Sequence, residues 1–180
     1  MADETKPGVT VLLTGFSGAG KSTIANALVR ALEAPPYGRK PVLLDGDVVR
    51  RMQSAGLGFS KDDRNTHIRR VGALAAEHTA KGDFVVCAVI APYDNVRKEV
   101  RGMVEAQGRF VLVLVSTPLD VCEKRDPKGL YAKARAGIIQ HFTGISDPYE
   151  IPTDAELIID TAITTPEEAA GNILQYLAAK

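Results

Sequence analysis

Five short apolar runs punctuate the chain: VTVLLT at 9–14, PVLLD at 41–45, FVVCAVI at 84–90, RFVLVLV at 109–115 and ELIID at 156–160. They are nearly continuous rather than alternating, the pattern of strands covered on both faces. Between them the apolar positions recur at helical spacing over 21–33, 62–81, 93–107 and 118–125, with a last helix at 166–179. TTPEE opens that last helix with a capping threonine, a proline and early acids. Strand and helix in strict alternation predict an α/β fold of three layers, a five-stranded parallel sheet flanked by helices. Such sheets bind ligands at the carboxyl ends of their strands. Weight therefore falls on GFSGAGKST, DGDVVR, APYD and STPLD, which follow four of the runs. The stretch 126–153 is weakly periodic, carries Gly, Pro, Lys and Arg, and is long for a connection. Long connections in compact domains are usually lids or binding loops, so a basic lid is predicted there.

Composition narrows the classes. The 180 residues suit one domain, 1–180. Twenty-two Lys and Arg balance twenty-two Asp and Glu. Zero net charge gives no general pull toward nucleic acid or an anionic membrane, so any attraction for anions is local. MADETKPG lacks a signal pattern, and no apolar run nears the ~18 residues of a spanning helix. Cys87 and Cys122 sit in apolar surroundings without a C-x-x-C spacing and read as buried free thiols of a reducing compartment. His67, His78 and His141 lack metal-ligand spacing, and Arg69 and Arg70 read as solvated or ion-paired. A cytoplasmic protein is expected.

Gly15 to Ser22, GFSGAGKS, matches G-x-x-x-x-G-K-[ST] between a strand and a helix. Its backbone N–H groups would wrap a phosphate at the positive end of the helix. Gly15, Phe16, Ser17, Gly18, Ala19, Gly20, Lys21, Ser22 and Thr23 are thus candidate ATP contacts. Lys21 would reach the β- and γ-phosphates, and the Ser22 hydroxyl would ligate Mg²⁺ accompanying ATP. There is no guanine-reading N-K-x-D, and a short chain with a lid looks like a small-molecule kinase. In VLLDGDVVRR, Asp45 and Asp47 remain open as metal ligands, catalytic base, substrate contacts or a capped turn.

Five segments occur together and in order: GFSGAGKST, LLDGDVVR, GLGFSKDDRNTHIRR, IAPY, and KGLYAKARAG with FTGISDPYE. Over roughly residues 8 to 178 this set closely resembles the adenylylsulfate (APS) kinase family. The resemblance implies a P-loop kinase fold and MgATP-dependent phosphorylation of the 3′-hydroxyl of APS, giving PAPS in sulfate assimilation. It implies Lys21 and Asp47 as catalytic residues, with Asp47 by the acceptor hydroxyl and Asp45 supporting the metal–water shell or the loop. Arg50 and Arg64 would bind the phosphosulfate, Phe59 and Phe142 would sandwich the adenine of APS, and the Ile90 backbone would meet the same base. Lys128 and the lid through Arg135 would contact phosphates, and Arg125 would lie near the ATP base. Phe59 and Phe142 also fit the alternative of plain core residues. A homodimer is implied, as is a functional or fused link to ATP sulfurylase.

Three positions depart from the family pattern. Ala91 stands where some members carry a phosphorylated serine, so direct in-line transfer without a phosphoserine is implied. Asp94 stands where an arginine is usual, and His67, a candidate substrate contact, where an asparagine is common. The same APY segment is similar to regulatory PAPS-binding domains fused to sulfurylases, but the intact phosphate loop favours catalysis. A kinase for another small metabolite is the third reading, and GFSKDDRN and the lid argue against it.

Overall fold

The structure, a computed structural model, describes residues 7–179, and the reading of MADETKPG falls almost entirely outside them. Its elements in chain order are β1 (Val9–Thr14), α1 (Lys21–Glu33), β2 (Val42–Asp45), α2 (Gly46–Gln53), α3 (Lys61–Ala80) and β3 (Phe84–Ala88), followed by α4 (Asp94–Glu105), β4 (Arg109–Val115), α5 (Leu119–Arg125), α6 (Leu130–Arg135), β5 (Leu157–Ile159) and α7 (Pro166–Ala178). The five strands form one parallel sheet in the order β2-β3-β1-β4-β5. Consecutive strand residues feed opposite layers. Val11, Leu13, Val86 and Val113 pack with Ile24, Leu28 and Ile173 from α1 and α7. Leu12, Val85, Cys87 and Leu112 pack with Ile68, Val71, Val96 and Val100 from α3 and α4. Burial on both faces is why the strands read as unbroken apolar runs.

β1 lies at the centre, with Leu12 level with Cys87 on one side and Leu112 on the other. The chain leaves β1 for the glycine loop where the strand order turns outward both ways, the crevice where open α/β sheets bind ligands. The α3–α4 contact needs a small residue at Gly72, since a Cβ there would lie 2.6 Å from Val100 Cγ2. Gly72→Ala is expected to destabilise the fold by about 1–2 kcal/mol in urea titration, although alanine is the better helix former. A midpoint equal to or above that of the unchanged protein would contradict this packing.

Two helices lie where the apolar pattern predicts none. α2 has eight residues, of which only Val49 is buried, so its two turns show no periodicity. α6 lies inside the lid and buries Tyr131 and Ala134. β3 stops at Ala88 rather than running to 90, and just beyond it Ala91 turns the chain with a left-handed backbone (φ 46°). Cys87 and Cys122 are free and buried. Among the described residues, no helix is long and apolar enough to cross a membrane.

Candidate active site

The glycine loop joins β1 to α1 and is fastened from behind. Thr117 and Thr161 donate hydroxyls to the Ala19 carbonyl at 3.0 and 2.6 Å, Tyr131 donates to Ser17 O at 2.8 Å, and Arg125 Nη1 donates to Gly18 O at 3.3 Å. With these carbonyls occupied, the loop presents amide donors and the N-terminus of α1 to the cleft. Gly20 has φ 103°, and a Cβ on it would lie 2.9 Å from Thr161 Cγ2, so this turn requires glycine. Lys21 folds across the loop, donating to Gly15 O at 2.9 Å and Phe16 O at 2.6 Å. Burial pushes the Lys21 ammonium down from 10.5 to about 8. Its bonds are to neutral carbonyls, so an anion entering the loop would be its first strong partner.

The two acids of DGD have different surroundings. Asp45 is the N-cap of α2, its Oδ1 accepting from Asp47 N at 2.9 Å. Its Oδ2 accepts from the Ser22 hydroxyl at 2.8 Å, so it also bridges to the phosphate loop. Asp47, one residue into α2, is exposed and pairs across the cleft with Lys128 of the lid. Asp45 therefore caps a helix and bonds the phosphate loop at the same time.

The far end of the cleft is basic and aromatic. Ser60 caps α3 by accepting from Asp63 N at 3.1 Å, and the Asp63 carboxylate accepts from Gly58 N at 3.2 Å. This turn holds Phe59 out, half exposed, between two cations: Arg50 lies 4.7 Å and Arg64 5.5 Å from its ring centre. Arg50 donates to Gly58 O at 3.0 Å, while Arg64 donates to Phe59 O at 3.0 Å and to His141 O. Burial pushes both guanidinium pKa values down, as expected of cations held partly out of water. Phe142 is buried, its ring edge-on to Tyr131 at 5.0 Å, and presents only a margin to the cleft. His67 is buried within electrostatic reach of Arg50, with Nδ1 3.1 Å from Ser54 Oγ. Desolvation, and secondarily Arg50, push it down to about 4, so it stands neutral at physiological pH. Ile90 O accepts from the Thr14 hydroxyl at 2.5 Å. Arg69 pairs with Glu99, and Arg70 bonds Gln53 O and Ser54 Oγ.

One cleft of about 920 Å³ gathers these groups, and nearly every predicted site residue lines it, Thr23 and Arg125 at the glycine-loop end included. Gly15, Phe16 and Ala19 do not. Gly15 backs onto Val115, Ala19 is fully buried, and Phe16 packs on Tyr149 at 5.0 Å. Pro127, Leu130 and Ile139 line the cleft without having been singled out, as apolar lid residues without a chemical signature. A smaller hollow of about 330 Å³ between β5 and α7 is lined without a charged side chain. Among the described residues, no three His, Cys, Asp or Glu cluster as a metal cage.

Known proteins resemble this chain in both sequence and fold. A family model described as adenylylsulphate kinase matches residues 7–160. The adenylyl-sulfate kinase of Rippkaea orientalis is 51% identical over 170 residues, 94% of this chain and 91% of its own. The Mycobacterium tuberculosis APS kinase, solved with AMPPNP and APS, superposes with a TM-score of 0.91 at 40% identity, over 96% of this chain and 99% of that one. A hexameric APS kinase from Thiobacillus denitrificans is 40% identical with a TM-score of 0.72, over 97% of this chain and 29% of that longer one.

Proposed function

The chain belongs to the adenylylsulphate kinase family, and on that premise we propose that it transfers the γ-phosphoryl group of ATP directly to the 3′-hydroxyl of APS, releasing ADP and PAPS. The observation that carries the reading is the single cleft with the phosphate loop at one end, Arg50, Phe59 and Arg64 at the other, and the carboxylate of Asp47 between them. Loop amides and Lys21 hold the ATP phosphates. Arg50 and Arg64 offer planar donor forks to the phosphosulfate. Phe59 offers an apolar face to its adenine, with the margin of Phe142 and the Ile90 backbone lining the same cleft. Asp47 orients the acceptor hydroxyl and accepts its proton late, which suffices because phosphoryl transfer runs through a loose transition state governed by positioning and charge. Ala91 has no hydroxyl, so a phosphoserine relay at that position is chemically excluded.

The Ser22 hydroxyl and Asp45 carboxylate, 2.8 Å apart, form a hard-oxygen pair at the mouth of the loop. That donor set fits Mg²⁺, which keeps most of its ligands from water and nucleotide phosphates. When bound with ATP, the ion neutralises charge on the phosphates being separated. Lys128 pairs with Asp47 before substrate arrives and turns to phosphate when the lid closes, excluding water from the reaction. Residues 7–179 build one shared cleft, which supports the single-domain reading. A homodimer in the cytoplasm completes the proposal. Leu43 on the edge strand β2 and Val48 and Met52 on α2 are exposed apolar side chains that a second copy could cover.

ADP release should depend on APS, and AMP, which lacks the sulfate, should not replace it. APS-independent ADP release would contradict the acceptor assignment. The loop lysine adds a pH signature. With its pKa near 8 in the free protein, Lys21 is charged below that pH both before and after ATP binds. Above it, binding requires uptake of a proton, since the triphosphate favours the ammonium. ATP affinity should therefore be flat from about pH 6.5 to 7.5 and weaken by up to roughly tenfold per unit above 8. Calorimetry at pH 9 in buffers of different ionisation enthalpy should show that uptake, and a pH-independent affinity through pH 9.5 would contradict it.

A further inference from the structure

We propose that Arg97, outside the cleft, is a positioning residue for the acceptor: its guanidinium holds the cleft wall at Ala91 and the base of the lid at Glu150 in one fixed geometry. The inference rests on the APS reading of the cleft and deepens it. Arg97 lies on α4 and is only 2% exposed. Its Nη1 donates to Ala91 O at 2.7 Å and its Nη2 to Glu150 O at 2.6 Å. Its counter-charge is Asp94, 3.4 Å away and shared with Lys98, which gives the unusual acid after Tyr93 a structural role. A cation is costly to bury, and this one is directed at two backbone carbonyls from segments over fifty residues apart.

Both carbonyls are strategic. Ala91 is held at φ 46°, a conformation disfavoured for any residue but glycine, and Ile90, Ala91 and Pro92 all line the cleft. Glu150 closes the lid segment, its carboxylate accepting from Asp94 N at 2.7 Å and its N–H donating to Pro92 O at 2.8 Å. The neighbouring Tyr149 ring lies 5.7 Å from the guanidinium and packs on Phe16, and its hydroxyl lies 2.9 Å from Thr14 Oγ1. Thr14 is the last residue of β1 and donates to Ile90 O. A single buried guanidinium thus joins the acceptor wall, the lid base and the strand that enters the phosphate loop.

The test compares Arg97→Met, Arg97→Lys and Tyr149→Phe with the unchanged protein. Steady-state kinetics, urea midpoints and hydrogen exchange of segments 90–92 and 147–151 are the readouts. Arg97→Met is expected to raise KM for APS by roughly 10- to 100-fold, with KM for ATP within about twofold. It should also raise ATP hydrolysis relative to transfer and speed exchange in both segments. Arg97→Lys, able to reach one carbonyl, should recover part of the APS affinity. Tyr149→Phe should shift KM for APS in the same direction by about 3- to 10-fold with little change in midpoint, and it carries the test should Arg97→Met fail to fold. A lowered midpoint with KM for APS and exchange both unchanged would overturn the proposal and leave Arg97 a packing residue. If the unchanged protein does not turn over APS, the acceptor assignment fails instead, and exchange in the two segments still decides whether Arg97 couples them.

Discussion

Asp47→Ala lowers kcat by about 10²- to 10³-fold while Kd for ATP stays within about twofold, the expected signature of a group that acts on the acceptor hydroxyl. The geometry separates the two effects. Among the described residues no hydrogen bond joins Asp47 to the phosphate loop, whose Lys21 feels its charge only through space, whereas its neighbour Asp45 bonds Ser22. Its exposure at the start of α2 leaves it open to a substrate that displaces Lys128. Asp47→Asn should fall almost as far, because the amide keeps the shape but cannot take the proton. Both variants lose the ion pair to Lys128 with little change in urea midpoint, since a mostly exposed pair contributes on the order of 0–1 kcal/mol. Steady-state kinetics beside nucleotide titration decide the matter, and near-normal turnover would remove Asp47 from the reaction.

Lys21→Met is expected to affect both halves of that measurement. Loss of the ammonium should lower kcat by roughly 10²- to 10³-fold, the scale for removing one preorganised donor to transition-state charge, and should weaken ATP binding as well. Stability should move the other way. Burial lowers the Lys21 pKa, so its charged form destabilises the fold at neutral pH, and a methionine of similar length relieves that cost. The urea midpoint should hold or rise, as expected where a site trades stability for activity. Lys21→Arg should not restore turnover, because a larger planar head must fit where the lysine is 8% exposed. A stable, fully active Lys21→Met protein would contradict the account of the loop.

The parts of this molecule differ in how openly the sequence declares them. β1 and α1 begin and end where the apolar run, the glycines and the helical period place them, because strand, loop and helix each carry a local signal. α2 carries none: eight residues with Val49 as the sole buried side chain show no period, and the helix is fixed by the Asp45 cap and by packing. The supports of the phosphate loop are equally silent. Thr117, Tyr131 and Thr161 reach its carbonyls from 98, 114 and 142 residues away, and no spacing rule links such positions. Arg97 sits in NVRKEV among other charges of an amphipathic helix, and only the fold turns it inward. Asp94, unusual beside its family pattern, becomes intelligible once Arg97 and Lys98 are seen beside it. Phe142 packs as a core residue against Tyr131 while its margin lines the cleft, a placement its sequence neighbours do not announce. The chemistry-bearing motifs were legible because phosphate binding constrains a short contiguous stretch, whereas the groups that aim it are assembled by tertiary structure.

The central claim is that one cleft brings the γ-phosphate of ATP to the ribose 3′-hydroxyl of APS with nothing covalent between them. Identification of the product by ³¹P NMR and mass spectrometry, after incubation with MgATP and APS, tests it most directly. The account predicts stoichiometric ADP and a nucleotide phosphorylated at the 3′-oxygen with its phosphosulfate intact, while the protein mass stays unchanged throughout turnover. ATP binding without any 3′-phosphorylated product, or a phosphorylated protein that passes its group to APS, would contradict it.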